Sequence, residues 1–542
     1  LSNVYAFSQQ TDKTINDSLD LDEFVVTGTL AKVNKKNVHM SVSVVNNEQI
    51  KESSESAILP VLNGRIPGLF VTERGVTGFG VSTGAAGQIT MRGIGGSPTT
   101  GVLMLIDGHP QFMGIFGHPL ADSYVTSDVE KVEVIRGPGS ILYGSNAMGG
   151  VVNVITRKQK ENGFHANANV LYGSYNTQKY MANAGYKKNG FSVFASGNHN
   201  QTDGHRANSD FNINNGYIKL GYELNKHFQA NTDFSIAKFN ATDPGPDTIN
   251  AKKGNTLDIT RGYWAFDLEN EFKKFSGAIK LFYNFGEHNI SDGFHSNDEN
   301  YGINIHETAK LFKGNNISIG ADVLNYGGKA ENTLAMGGKG IVFKDTTIIE
   351  TAVYGLVQQT LFNKLTLNAG IRYQNHSVYG EEWIPSGGFT FQLLKNTTWK
   401  ASASEGFRSP TIQELYIWNH NSNLNPEKIM SYESSILQSF FNKKLNLELT
   451  GFKVEGNNMI ITVPLVGLQN AGSISNMGIE FAANAAVIKN LDFSLTYSYI
   501  DMKAPVYGTP KHNLFSSVGY TWKKISATVS AQYINGLDTD PS

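Results

Sequence analysis

The loop Asp107–Pro119 (DGHPQFMGIFGHP) carries His109, Met113 and His118, residue types that can ligate a metal, interleaved with Phe112 and Phe116. A second cluster, Asp292, Asp298 and Glu299 in SDGFHSNDEN, offers hard oxygen ligands for calcium, with Asp243 and Asp247 on the preceding loop. Its spacing does not follow a calcium loop. Arg92 and Arg136 each precede a glycine, in ITMRG and VIRG, with Glu133 close by. Such charges need partners if they are buried, because an unpaired buried charge is costly. Covalent catalysis finds little support. There is no cysteine, which excludes thiolate nucleophiles, thiolate zinc sites and iron–sulfur clusters. No HExxH occurs. The single GxSxG, Gly80–Gly84, lies in a glycine-rich loop without the strand and helix that a nucleophile elbow needs. Nor do GVTGFG and GIGG belong to a strand–helix unit that would bind phosphate. No enzyme and no cofactor is expected.

Lysine plus arginine number 45 against 47 aspartates plus glutamates, a net charge of −2, so there is no basic field for nucleic acid. Charged residues make up only 17% and aromatics 11%, with a mean hydropathy of −0.26. No run approaches the ~18 apolar residues of a membrane helix, which excludes a helical membrane protein and leaves a β-barrel open.

From Phe164 onward, apolar and polar residues alternate with period two. Phe275, Ile279, Leu281 and Tyr283 alternate with Ser276, Ala278, Lys280 and Asn284, and Leu365–Tyr373, Leu491–Tyr499 and Ile525–Tyr533 repeat the pattern. Such alternation puts one set on each face of a sheet. The runs extend to about ten residues, enough for a tilted strand to cross a bilayer. Short turns such as Leu224–His227 and Phe362–Lys364 alternate with polar segments, including Asn240–Arg261, Glu287–Tyr301, Gly327–Thr347 and Glu405–Met430, that read as long loops. We count 19 strands. Bacterial barrels have even numbers and no open edge, so the chain is expected to stop early, inside an outer loop. Three regions result. Residues 1–37 are a signal-peptide remnant and a mobile arm, 38–157 a compact α+β unit containing a short helix over Ala57–Leu69, and 158–542 the barrel.

The sequence resembles the TonB-dependent outer-membrane receptors. Val129–Thr156 (VEKVEVIRGPGSILYGSNAMGGVVNVIT) is similar to the second half of that family's plug domain, and Ile89–Gly93 and Val102–Gly108 fall where its first half lies. Gly406–Pro410 (GFRSP) followed by Asn423–Glu427 (NLNPE) resembles the barrel signature, and Asp22–Thr29 (DEFVVTGT) the TonB box. The resemblance implies a transmembrane antiparallel barrel of 22 strands, about 19 of them present here, around an N-terminal α+β plug. It implies that Asp22, Glu23, Phe24, Val25, Val26 and Thr27 couple to periplasmic TonB, and that Arg92, Glu133 and Arg136 lock plug to barrel. It further implies import of a scarce metal chelate, with a ferric siderophore first, held by His109, Phe112, Met113, Phe116, His118, Arg408, Trp418 and His420. Haem, gripped by His420 and a plug histidine, and cobalamin, with calcium on the outer aspartates, are the alternatives within the family. A passive porin is the alternative of another class, and the plug argues against it. The remaining implied partners are outer-membrane lipid of a Gram-negative cell and a surface lipoprotein.

Overall fold

The computed structural model describes residues 24–30, 32–73, 87–96, 99–243, 254–486, 488–523 and 525–538. Asp22, Glu23, Asp247, the GxSxG and most of the Gly75–Gly87 loop lie outside the described residues.

The short apolar runs of the first region become strands of a five-stranded sheet, in the order Ser41–Val45, Val129–Arg136, Gly150–Thr156, Val102–Ile106 and His109–Gln111. Only Val102–Ile106 and Gly150–Thr156 run parallel. Val102–Ile106 is buried throughout, as its unbroken apolar sequence requires. Leu69–Val71, Ile89–Met91 and Ile94–Gly95 form a second, smaller sheet. The helix expected over Ala57–Leu69 is shorter, Ile58–Leu62. The chain turns at Gly64 and Gly68, both at positive φ, which glycine alone adopts without strain. A second helix, Asn47–Glu52, starts with a capping box in which Asn46 and Gln49 satisfy each other's backbone amides.

The period-two region forms one antiparallel sheet of 19 strands in sequence order, from Gly163–Gly173 to Ile525–Leu537. The face assignment follows the alternation. Ile279, Leu281 and Tyr283 point outward, while Ala278, Phe282 and Asn284 are buried against the interior. Two segments read as loops are strand instead. Phe275–Ile290 and Phe294–Ala309 meet across Ser291–Gly293, and Asn315–Asn332 and Ile341–Leu361 run on to a short helical turn at Ala335–Gly338. Ladder pairing carries these hairpins past the bilayer, where no lipid enforces an apolar face.

Leu281→Arg or Leu367→Arg should destabilise the assembled barrel by ~2–4 kcal/mol near the midplane. Heat-modifiable gel mobility is the check, and normal mobility for both would refute the register. Interior positions are not uniformly milder, as the alternation alone suggests. Asn284 donates to the Pro110 carbonyl (3.0 Å) and accepts from Gln111 (2.8 Å), so an arginine there would also collide with the first domain.

Candidate functional site

Three regions bear on function, two between the N-terminal domain and the barrel wall and one within the N-terminal domain. The first is built on Arg92, held at positive φ in the turn after Ile89–Met91, and on Arg136 at the end of its strand. Both are almost completely buried. Arg92 reaches Glu480 through Nε and Nη2 (2.8 and 2.9 Å) and Glu433 through Nη1 (2.9 Å), and its guanidinium lies over Phe452. Arg136 pairs with Glu480 (2.5 Å) and Glu448. The three carboxylates come from adjacent strands, Glu427–Phe440, Leu445–Val463 and Gly467–Ala485. Glu433 also accepts from the Ser41 amide (2.7 Å).

Glu133 takes no part in this cluster, contrary to the sequence expectation. It accepts instead from the Val26 amide (3.0 Å), the Thr27 amide (2.9 Å) and the Thr27 hydroxyl (2.6 Å). Asn153 donates to Thr27 Oγ1 (2.9 Å), Tyr143 to its carbonyl (2.9 Å), and Lys131 to the Phe24 carbonyl (3.1 Å). Phe24–Val25 pairs with Val33–Asn34. The expectation of a mobile arm is therefore corrected for its described part. Val25 and Thr27 are wholly buried, Val25 against Val33, Val38, Val42 and Ile135, because one buried carboxylate satisfies three donors and the valines complete an apolar cluster.

The third region is the outer end. Phe116 lies 6.0 Å from Trp418 and 5.8 Å from Phe294, and Trp418 is 5.2 Å from Phe294 and 6.1 Å from Phe343 (ring centroids). Trp418 remains 52% exposed and is held at positive φ, a strained conformation for an aromatic residue. Lys344 lies over the neighbouring Tyr416 ring (4.2 Å). The result is an aromatic cluster, exposed at Trp418, to which Phe116, from the first domain, and three barrel aromatics all contribute. His118 is half-buried beside Phe116. His420 is exposed, next to an open cleft of about 490 Å³ lined by Asn421, Asn423, Asn425, Gln469 and Asn470.

The other expected ligand contacts lie elsewhere. His109 is buried between Tyr263 and Phe282, accepts from Gln111 (3.0 Å), and burial pushes its imidazole down to about 3, so it is neutral. It cannot form a surface pair with His420. Met113 packs among Leu120, Phe211, Phe239 and Ile259. Phe112 is buried against Tyr326, its carbonyl accepting from Arg261 and Asn300 (both 2.6 Å). Arg408 is saturated by Glu414, through two bonds of 2.8 and 3.1 Å, and by Glu427. Asp298 and Glu299 are strand neighbours and face opposite sides. Asp298 faces inward, bound to Arg261 (2.6 Å) and the Gly114 amide (2.7 Å), and Glu299 accepts from Tyr283 on the outer face. Asp292 caps its own turn at the Phe294 amide (2.9 Å). The three do not converge, and no metal-holding group of His, Asp or Glu occurs among the described residues. Phe294, Phe343, Glu433, Glu448 and Glu480 escaped the sequence reading. The inward register of the three glutamates was the available signal.

A barrel filled from within by a separate α+β domain, with an extended segment docked at its N-terminal end, defines a plugged outer-membrane-type receptor. The plug-domain model of the TonB-dependent receptors matches residues 34–151, and the TonB-dependent receptor-like β-barrel model matches residues 151–542. The chain belongs to the TonB-dependent receptor family. Its fold is similar to that of the siderophore receptor PiuA from Acinetobacter baumannii (TM-score 0.79, 16% identity, 96% of this chain and 89% of that one). It is also similar to the alcaligin outer-membrane receptor FauA from Bordetella pertussis (0.77, 16%, 98% and 94%) and to FpvA of Pseudomonas aeruginosa, solved with a ferric pyoverdine (0.78, 13%, 96% and 79%).

Proposed function

We propose that the protein imports a ferric siderophore across the outer membrane of a Gram-negative cell, driven by periplasmic TonB. The observation that carries this reading is the aromatic cluster of Phe116, Phe294, Phe343 and Trp418, shared between plug and barrel and exposed at Trp418. A bulky chelate seated there touches both domains, so its arrival can be felt by the plug. The siderophore receptors named above share the fold and lend the substrate class. Phe24–Thr27 and the two acidic residues before it are the segment that TonB would grip, by adding a strand to its own sheet edge. The docked arrangement implies that this segment must first leave Glu133. For haem, only His118 is left as the plug histidine, because His109 is withdrawn from the surface.

Uptake of radioactive iron, presented as ferric hydroxamate, ferric catecholate or haem to a strain lacking this gene and to its complemented form, tests the reading. A siderophore-dependent difference that vanishes without TonB is expected. A difference with haem alone would replace the reading. Trp418→Ala should weaken binding of the active chelate about tenfold, a loss of ~1.4 kcal/mol, measured by fluorescence titration. Unchanged affinity would remove the cluster as the site.

A further inference from the structure

Two of the charged walls on which plug and barrel meet differ in what they would leave behind. On the Glu433, Glu448 and Glu480 wall, plug arginines neutralise barrel carboxylates, and among barrel cations Lys400 acts on Glu448 and Glu433. If the plug moves away there, three glutamates are left together beside the single lysine Lys400. About ten strands away around the sheet the signs are reversed. Asp107, in the turn after Val102–Ile106, accepts from Lys219 (2.7 Å), and its carbonyl accepts from Lys280. Lys219 also donates to Thr156 (2.7 Å). Here the barrel carries replacement acceptors of its own. Asp233 is the register partner of Lys219 on the next strand, and Asp267 is the register partner of Lys280. Asp233 is 2% exposed with only the Tyr263 hydroxyl beside its carboxylate, while Asp267 stands 3.8 Å from Lys280. Arg261 and Asp298 on the same side are likewise paired within the barrel.

We propose that Lys219, Asp233, Asp267 and Lys280 are positioning residues for transport: the plug separates first from this wall, the lysines transfer from Asp107 to Asp233 and Asp267, and the passage opens along it while the arginine wall holds. The N-terminal segment is connected to this point. Thr27 Oγ1 accepts from Asn153, whose Oδ1 accepts from the Gly108 amide (3.1 Å) beside Asp107, so withdrawal of Thr27 loosens the turn that meets the lysines. The inference rests on the reading that the plug is displaced during import. Its test needs no ligand, so failure of the substrate reading would not touch it.

The chain has no cysteine, so single thiols report cleanly. Ser235→Cys lies on the aspartate wall and Ser431→Cys on the arginine wall, both at buried inward positions. The purified protein in detergent is taken through rising urea with a fluorescein maleimide present. At the lowest urea that exposes either thiol, Ser235→Cys should react at least tenfold faster. Adding Asp233→Asn and Asp267→Asn should shrink that ratio, and Asp233→Glu with Asp267→Glu should restore it. Equal rates, faster labelling at Ser431→Cys, or a ratio indifferent to the aspartates would overturn the proposal.

Discussion

Glu480→Ala is expected to loosen the plug within an intact barrel. Glu480 is the one carboxylate shared by Arg92 and Arg136, and its removal strips two bonds from the first and one from the second in a site almost closed to water. Breaking a buried pair from one side costs ~3–5 kcal/mol, because the remaining charge is left uncompensated. Glu433 and Glu448 still hold one bond each, which keeps the expected loss near the lower end of that range. The measurement is limited proteolysis of the plug alongside the heat-modifiable mobility of the barrel. Plug cleavage should rise sharply while barrel mobility persists. Wild-type resistance to protease would show that these pairs do not hold the plug.

Removal of Asp22–Thr29 should reduce uptake to that of a strain without TonB while chelate binding at the surface persists. The same deletion takes Val25 out of its apolar cluster, at ~1.5–3 kcal/mol, and leaves Glu133 without three donors. The plug should therefore also become less stable, which a freely moving arm would not cause. Val26→Pro separates the two effects. It deletes a single amide donor and spoils the segment for strand addition with most of the buried side chains in place. Uptake at the normal rate by either variant would end the assignment of this segment to TonB coupling. Glu133→Gln should act in the opposite sense. It weakens the hold on Val26 and Thr27 by ~1.5–3 kcal/mol, the worth of hydrogen bonds to a charged group, and should increase capture of the segment by a soluble TonB domain in pull-down. No increase would mean that the docked segment does not restrain coupling.

The barrel, its strand number and its faces were legible in the sequence because lipid acts on every second residue locally. Leu281 and Leu367 must be apolar whatever their neighbours do. The plug strands were legible for a related reason, since runs such as Val102–Ile106 are apolar enough to be buried on both faces. Hairpins that leave the bilayer lose that constraint, so Glu287–Tyr301 and Gly327–Thr347 read as loops although ladder hydrogen bonds make most of both strand. Charges and ligand contacts were decided by the tertiary structure alone. Arg92, Arg136 and Arg408 look alike as residues beside glycine or serine, yet the first two meet Glu433, Glu448 and Glu480 across the domain boundary while the third is consumed by Glu414 and Glu427. Glu133 lies three residues from Arg136 and binds the N-terminal segment instead, because its side chain points to a different face of the same sheet. Sequence fixes where an ionisable group sits along a strand. Which partner it meets depends on how residues more than 300 positions apart in the chain are brought together, and ion pairs, having no period, leave no trace of that in the sequence.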